Sequence, residues 1–281
     1  MTDTCLAIDI GGTKILVALV QGSTVLARQV MSTEPSADPQ SWIEHAYSLS
    51  RPWAGQYQRV AAAVTGIVTA GKWTTLNPRT LAIKNDFPLQ QALHQRLQCP
   101  ALALNDAQAA AWAEYRFGAG QHRDLVFITV STGVGGGMVL NGSLRQGQTG
   151  IAGHFGQWRD MAGTRFEDSV SGRWFAQAAA AATGREHDAR SVFTAAAAGA
   201  AWAESLIDTS ARRVAMLCGN IQHAFDPDLI LLGGGIGLAP GFLDRVRAHA
   251  DAPRFAPSLA RAQLGDEAGV LGAADWSSVD Q

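Results

Sequence analysis

The chain has 281 residues, with 22 Lys+Arg against 24 Asp+Glu for a formal charge of −2, and is 47% hydrophobic and 16% charged. No basic excess is present to neutralise a nucleic-acid backbone, and the apolar content is too high for a disordered chain. The length suits one large domain or two lobes of about 100–150 residues each, and two lobes sharing an interface with a hinge are expected because no Pro-rich or Ser-rich linker occurs.

In chain order, Met1-Thr2-Asp3-Thr4 shows neither a basic n-region nor a cleavage site, so Leu6 to Ile10 reads as the first strand of a mature protein. Gly11-Gly12-Thr13-Lys14 follows, then Ile15 to Val20, together a hairpin turning at the glycines. A helix is predicted over 40–50, strands at Val60–Val64 and Ala101–Leu104, and an alanine-rich helix at 107–117 directly after Asn105-Asp106. Leu125 to Val130, Ser131 to Gly137 and Met138 to Leu140 repeat the strand–glycine–strand layout and end in an Asn141-Gly142 turn. The repetition points to a duplicated architecture, one unit per lobe. Beyond residue 150, helices are predicted at 170–182, 191–198 and 201–224, then a strand at Leu229–Leu232 running into Gly233-Gly234-Gly235, then a capped terminal helix. The lobes so read are 1–118 with the terminal helix at about 267–281, and 119–266. Arg173, Arg185, Glu186 and Glu204 interrupt the alanine-rich stretches, so none reaches the roughly 20 apolar residues of a membrane span. Cys5, Cys99 and Cys218 are too scattered for a disulfide framework, and a reduced, cytoplasmic setting fits them best.

Asp9-Ile10-Gly11-Gly12-Thr13-Lys14 sets a carboxylate at a strand end, two glycines that admit an anion to backbone N–H groups, then a hydroxyl and an ammonium. Such a loop can cradle phosphates while Asp9 orients a magnesium ion, directly or through water. It is neither a Walker A loop nor Gly-x-Gly-x-x-Gly, and by itself also reads as an ordinary tight hairpin. Thr132, Gly133, Gly135, Gly136 and Gly137 form a second anion cradle or, taken alone, a β-bulge hairpin. Facing loops from two lobes would enclose the phosphates of one nucleotide, with Gly233, Gly234 and Gly235 a side-chain-free surface for its nucleoside. Asp106, at the carboxyl end of a strand, stands where open α/β sheets bind ligands and where a carboxylate can align an alcohol and take its proton. Its position fits an N-cap equally well. His154, flanked by glycines, and Glu167 can hydrogen-bond a polar ligand, although a lone loop His and an isolated Glu by themselves read as structural and solvated.

Over essentially the whole chain these motifs resemble the ROK family of sugar kinases and regulators. The resemblance implies an α/β, two-lobed actin-like ATPase (ribonuclease H-like) fold with an interlobe cleft. It implies ATP held by Asp9, Gly11, Gly12, Thr13 and Lys14, by Thr132, Gly133, Gly135, Gly136 and Gly137, and by Gly234 and Gly235, with Mg2+ as cofactor. Asp106 is then the catalytic base, and Gly66, Asn77, Asn105, Asp106, His154 and Glu167 form the sugar pocket. The runs Asn105 to Glu114 and Phe127 to Gly137 are most similar to the bacterial branch that acts on N-acetylmannosamine. That implies phosphorylation of the sugar's 6-hydroxyl in sialic acid catabolism by a cytoplasmic homodimer, with the sugar and ATP as partners and neither nucleic acid nor membrane. Alternatives are a glucokinase or another N-acetylhexosamine kinase, and a sugar-responsive regulator, for whose helix-turn-helix there is no room before Leu6. Two departures matter. Ile151 stands where the family usually carries a sugar-holding Glu, which argues against a glucokinase and is also expected of the N-acetylmannosamine branch. Gln157 to Phe166 is short and lacks the family's Cys-x-Cys-Gly-x-x-Gly-Cys segment, so no structural zinc and no protein metal ligand is expected, with Trp158, Met161 and Phe166 packing in its place.

Overall fold

The protein, as a computed structural model, is described over residues 3–77, 80–83, 86–250 and 255–279. It divides into two units, Met1–Phe117 with Leu144–Ala152 and Asp266–Gln281, and Gly118–Ser143 with Gly153–Gly265. The extreme ends of the first lobe read from the sequence, 1–2 and 280–281, lie outside the described residues. Leu144–Ala152 groups with the first unit, whereas the sequence reading puts it in the second. The reason is local: the Thr69 hydroxyl donates to the Thr149 carbonyl at 2.6 Å, and the Gln108 amide donates to the carbonyls of Gly150 and Ala152 at 3.2 and 2.9 Å.

The first unit contains β1 (Thr4–Ile10), β2 (Lys14–Gln21), β3 (Thr24–Ser32), α1 (Pro39–Ser50), β4 (Arg59–Val64), β5 (Ile67–Thr69), β6 (Lys72–Thr74), α2 (Leu89–Leu97), β7 (Ala101–Asn105), α3 (Asp106–Phe117) and a terminal helix at Ala268–Trp276. Its sheet has the order β3-β2-β1-β4-β7, antiparallel among the first three strands and parallel among the last three. Side chains alternate across the sheet, and the two faces bury different sizes of residue. Leu6, Ile8, Ile10 and Val60 belong to the core that includes Trp42, Ile43, Leu89 and Leu93 of α1 and α2. On the opposite face, β4 presents small alanines, and a Cβ added to Gly269 of the terminal helix would lie 3.7 Å from Ala63. That helix comes closer still to α3, where a Cβ on Gly272 would fall on the Ala109 carbonyl. Asp38 starts α1 by accepting the Ser41 N–H at 2.9 Å, with Pro39 at the first helical position.

The second unit contains β8 (Leu125–Val130), β9 (Val134–Leu140), the first residue of the two-residue β10 (Ser143–Leu144), α4 (Glu167–Val170), α5 (Gly172–Thr183), α6 (Ala189–Ala197), α7 (Ala201–Phe225), β11 (Leu229–Gly233), α8 (Gly234–Gly237), α9 (Phe242–His249) and β12 (Leu259–Arg261). Its sheet order, β10-β9-β8-β11-β12, repeats that of the first unit strand for strand, with β8, β11 and β12 parallel. Asn141 and Gly142 turn the β9–β10 hairpin with φ of 53° and 70°, the left-handed pair that a two-residue hairpin favours. The helix expected at 170–182 is α5, which starts two residues later because Ser171 takes extended backbone (φ −74°, ψ 166°) and caps it by accepting the Trp174 N–H at 3.3 Å; the short α4 precedes it. In α7 the buried set Ala203, Ile207, Ser210, Ala211, Val214, Leu217, Cys218 and Ile221 follows the helical period and forms one apolar stripe. Among the described residues no helix is long and apolar enough to cross a membrane.

Candidate active site

In the first unit the expected residues gather at the carboxyl ends of three parallel strands, where Ile10, Val64 and Asn105 stand level in the register. The first glycine loop is a tight turn. Gly11 N–H donates to the Lys14 carbonyl at 3.0 Å, and the Thr33 hydroxyl donates to the Gly11 carbonyl at 2.8 Å. A Cβ on Gly12 would meet Thr80 Cγ2 at 2.7 Å, so a larger residue there would push the Thr80 side chain aside. The Lys14 ammonium lies 2.7 Å from the Asp266 carboxylate, and Thr13 is exposed. Asp9 sits half-buried beneath this turn, with a Cβ on Gly269 falling only 3.0 Å from its Oδ2. Burial, with the charge of Asp106 added to it, pushes the Asp9 carboxyl up to about 7, against the opposing pull of Lys14.

Asn105, not Asp106, is the residue that caps α3. Its Oδ1 accepts the N–H groups of Ala107 and Gln108 at 2.9 and 3.0 Å, so the capping of α3 falls to Asn105. Asp106 is the first helical residue and accepts the Ala107 N–H at 2.7 Å. The Asn105 amide also donates to the Gly66 carbonyl at 2.8 Å, which brings Gly66 beside the pair. Gly66 has φ +108°, and a Cβ there would meet the Thr74 carbonyl at 2.6 Å. Asn77 stands in a turn, donating its N–H to Thr75 Oγ1 at 3.1 Å and accepting the Thr80 N–H at 2.9 Å.

In the second unit, Ser131 N–H donates to the Gly133 carbonyl at 2.9 Å, and Gly172 at the start of α5 donates to the Ser131 carbonyl at 2.7 Å, so the turn rests on a helix N-terminus. Thr132 and Gly133 occupy this turn. Gly135, Gly136 and Gly137 lie within β9, paired with Thr129, Ile128 and Phe127. A Cβ on Gly136 would meet the Phe127 carbonyl at 2.5 Å and Phe155 Cδ2 at 2.6 Å, so these glycines admit the segment that carries His154. His154 itself is buried before a 3-10 turn at Phe155–Gln157. Glu167 accepts the Val134 N–H at 3.2 Å on one oxygen and Arg173 at 2.6 Å on the other, which ties it to the second glycine turn. Gly234 opens α8 with φ +77°, where a Cβ would meet Thr129 Oγ1 and the Val130 carbonyl at 2.6 Å. A cavity of about 1120 Å³ is lined by Ser131, Thr132, Arg173, Arg190, Gly235 and Arg245 among others. Its size and its guanidinium groups suit a nucleoside carrying phosphates. Asp9 offers the hard oxygen that magnesium prefers.

The segment Gln157–Phe166 offers no zinc donor set. Asp160 Oδ1 accepts the N–H groups of Ala162 and Thr164, each at 2.9 Å, and thereby shapes the turn. Trp158 packs on Phe155 and Phe225 with ring centroids 5.2 and 6.2 Å away, and Phe166 is buried. Met161 is fully exposed at 103%, which corrects the expectation that it packs beside them: the Asp160 turn projects it into solvent. Burial pushes the Cys5 and Cys218 thiols up to about 12, far from the thiolate that a metal needs. Among the described residues, no group of three or more His, Cys, Asp or Glu is placed to hold a metal ion.

Duplicated sheets of one order, each with a glycine turn after its first strand, define the actin-like, two-lobed ATPase fold. The sequence model of the ROK family matches residues 5–279, and the chain belongs to that family. It is 48% identical to the bifunctional enzyme NanE/NanK of Brucella melitensis over 97% of its own length and 54% of that protein, so it spans about half of that relative. It is 41% identical to the N-acetylmannosamine kinase of Escherichia coli O1:K1, covering 96% of this chain and 97% of that one. A ROK family glucokinase from Streptomyces griseus, crystallised with glucose and AMPPNP, superposes with a TM-score of 0.84 at 28% identity, covering 97% and 98% of the two chains.

Gln108 is the residue that reading the sequence missed. Asn105-Asp106-Ala107-Gln108 has the spacing of a capping box, which was the available signal. Only half of that motif is made, because the Gln108 side chain turns away to the carbonyls of Gly150 and Ala152.

Proposed function

We propose that the chain is an ATP-dependent kinase that transfers a phosphoryl group to the 6-hydroxyl of N-acetylmannosamine, working in the cytoplasm as a homodimer. The observation that carries this reading is Asp106. It stands at the carboxyl end of β7, level with Ile10 and Val64, and the capping of the helix falls to its neighbour Asn105. Asp106 aligns the sugar hydroxyl and takes its proton as the bond to phosphorus forms, while the bond from that phosphorus to the bridging oxygen of ADP breaks. The Ala107 N–H holds one oxygen of that carboxylate, and the Asn105–Gly66 bond holds the strand end next to it. Thr13, Gly12, Thr132 and Gly133 offer backbone and hydroxyl donors to the phosphates, and Gly234 and Gly235 admit the nucleoside. Asn77, His154 and Glu167 are assigned to the sugar side, Glu167 acting through the turn to which it is tied. Mg2+ held near Asp9 would neutralise charge on the transferring group.

The choice of sugar rests on the relative that acts on N-acetylmannosamine being 41% identical over nearly full length, against 28% for the glucokinase. Coupled ADP release measured across N-acetylmannosamine, N-acetylglucosamine, mannose and glucose tests it. The highest kcat/KM is expected for N-acetylmannosamine, and a preference for glucose would overturn the assignment.

A further inference from the structure

The two glycine turns hold the same place in their sheets but draw their charge from different parts of the chain. The first carries its own cation, Lys14 at the start of β2, and the Asp266 carboxylate lies 2.7 Å from it. The second, Ser131 to Gly137, contains no lysine or arginine. Its cation comes from α5. Arg173 Nη2 donates to Glu167 Oε1 at 2.6 Å, and Glu167 Oε2 accepts the Val134 N–H of the turn at 3.2 Å. A Cβ on Gly133 would lie 3.0 Å from Glu167 Oε2 and 3.5 Å from Arg173 Nη2, so both charged groups close over that glycine. Each turn of the duplicated fold is thus matched with one cation and one carboxylate.

Stability does not account for the second pair. The Arg173 side chain is 38% exposed, and an ion pair that open to water adds little to a folded state. Its location is more telling. Arg173 lines the cavity of the second unit together with Ser131, Thr132 and Gly235, whereas Glu167 stands outside that lining. The helix that carries Arg173 is anchored at this point, since Gly172 N–H donates to the Ser131 carbonyl at 2.7 Å and Ser171 caps its first turn. A guanidinium offers five N–H donors in a planar fork, so it can hold a carboxylate on one edge and a phosphate on another.

We propose that Arg173 is a catalytic residue that contacts the terminal phosphoryl group of the nucleotide and stabilises the charge spread over its oxygens during transfer. The nucleotide and its acceptor in this proposal rest on the kinase reading. On that reading the nucleoside enters at Gly234 and Gly235 and Glu167 belongs to the sugar side. A cation that lines the cavity and also bonds Glu167 then stands where the transferring group passes. Arginine stays charged at any working pH, and one held in place beforehand meets the developing negative charge without rearrangement.

The test uses Arg173→Gln, which removes the charge, and Arg173→Lys, which keeps it without the planar fork. Steady-state kinetics are measured with ATP and N-acetylmannosamine, and affinities for AMPPNP and for ADP, each with magnesium, by calorimetry. Arg173→Gln is expected to lower kcat about 100-fold or more. It should weaken AMPPNP about tenfold and leave ADP within about twofold, a difference that a merely structural role would not produce. Arg173→Lys is expected to recover about tenfold of the lost kcat, and both variants to melt within a few degrees of the wild type. A kcat for Arg173→Gln within about threefold of the wild type would overturn the proposal, as would equal weakening of AMPPNP and ADP. If Arg173→Gln fails to fold, Arg173→Lys decides: a lowered kcat with AMPPNP weakened more than ADP upholds the contact, and wild-type values overturn it. If the wild-type protein phosphorylates no sugar, the kinase reading fails, and the two affinities then decide Arg173 alone. Selective loss of AMPPNP upholds its contact with the terminal phosphate, and equal loss or none overturns it.

Discussion

Replacing Asp9 with Asn should stabilise the unliganded protein at alkaline pH while abolishing its turnover. Burial under the terminal helix, with the charge of Asp106 nearby, lifts the Asp9 carboxyl from an ordinary 3.8 to about 7. The folded protein therefore holds a proton that the unfolded chain has already released, and stability falls as pH rises through that window. The cost opens near pH 4, grows to about pH 7 and is constant beyond, where the difference amounts to about 4 kcal/mol. Asp9 keeps some access to water and Asn still buries a polar amide, so a gain of about 2 kcal/mol is expected for the variant. For a chain of this size that corresponds to a rise in Tm of about 4–8 °C. Thermal melts of both proteins at pH 8 and pH 5, without nucleotide or divalent metal, measure it. The gap should shrink to about a third at pH 5, where the wild-type carboxyl is already protonated in the fold. Equal gaps at the two pH values, or a variant less stable at pH 8, would refute the reasoning.

Asp106→Asn removes the proposed proton acceptor and should lower kcat by about 10²–10⁴-fold while leaving ATP affinity within twofold by calorimetry. Asn105→Ala deletes both the cap of α3 and the tie to Gly66, and should cost about 1–3 kcal/mol in denaturant melts together with a loss of kcat, since Asp106 loses its orientation. Gly272→Ala places a methyl on the Ala109 carbonyl and should force the terminal helix off α3, at a cost of about 3 kcal/mol or more by chemical unfolding. Gly136→Ala should act in the second unit, shifting Phe155 and lowering the Tm by several degrees, because its Cβ would lie 2.5 Å from the Phe127 carbonyl.

The fold was legible where pattern and punctuation agreed. Apolar β-branched runs ending in glycines gave both first hairpins, and their repetition anticipated two sheets of one order. The ends of elements were legible where a side chain announces them and were missed where it does not: Ser171 starts α5 by capping it, two residues inside the expected helix, and its identity alone does not distinguish a cap from a helical serine. Within the candidate site, Asp106 and Asn105 were both named, but which of them caps α3 depends on an amide reaching Gly66, 39 residues away. The glycines of 133–137 looked alike in sequence and do different work. Gly133 stands in the turn, while Gly136 makes room for Phe155, a long-range packing demand that no local spacing encodes. Gln108 stayed hidden for the same reason, since its partners lie more than 40 residues further along.

The terminal helix has a consequence for the order in which the protein is built on the ribosome. The first phosphate turn is made about 250 residues before the groups that finish its surroundings, Asp266 against Lys14 and Gly269 over Asp9. At typical elongation rates that is a wait on the order of ten to fifty seconds. During that interval the β1–β2 hairpin and the alanine face of β4 lack their cover, an exposed surface that a holdase would recognise. The second unit, whose strands and helices are all made by Arg261, has no such debt to the C-terminus. The later-made half of this duplicated fold is thus the one able to close first, and the half bearing Asp9 and Asp106 is completed only once Ala268–Trp276 has been made.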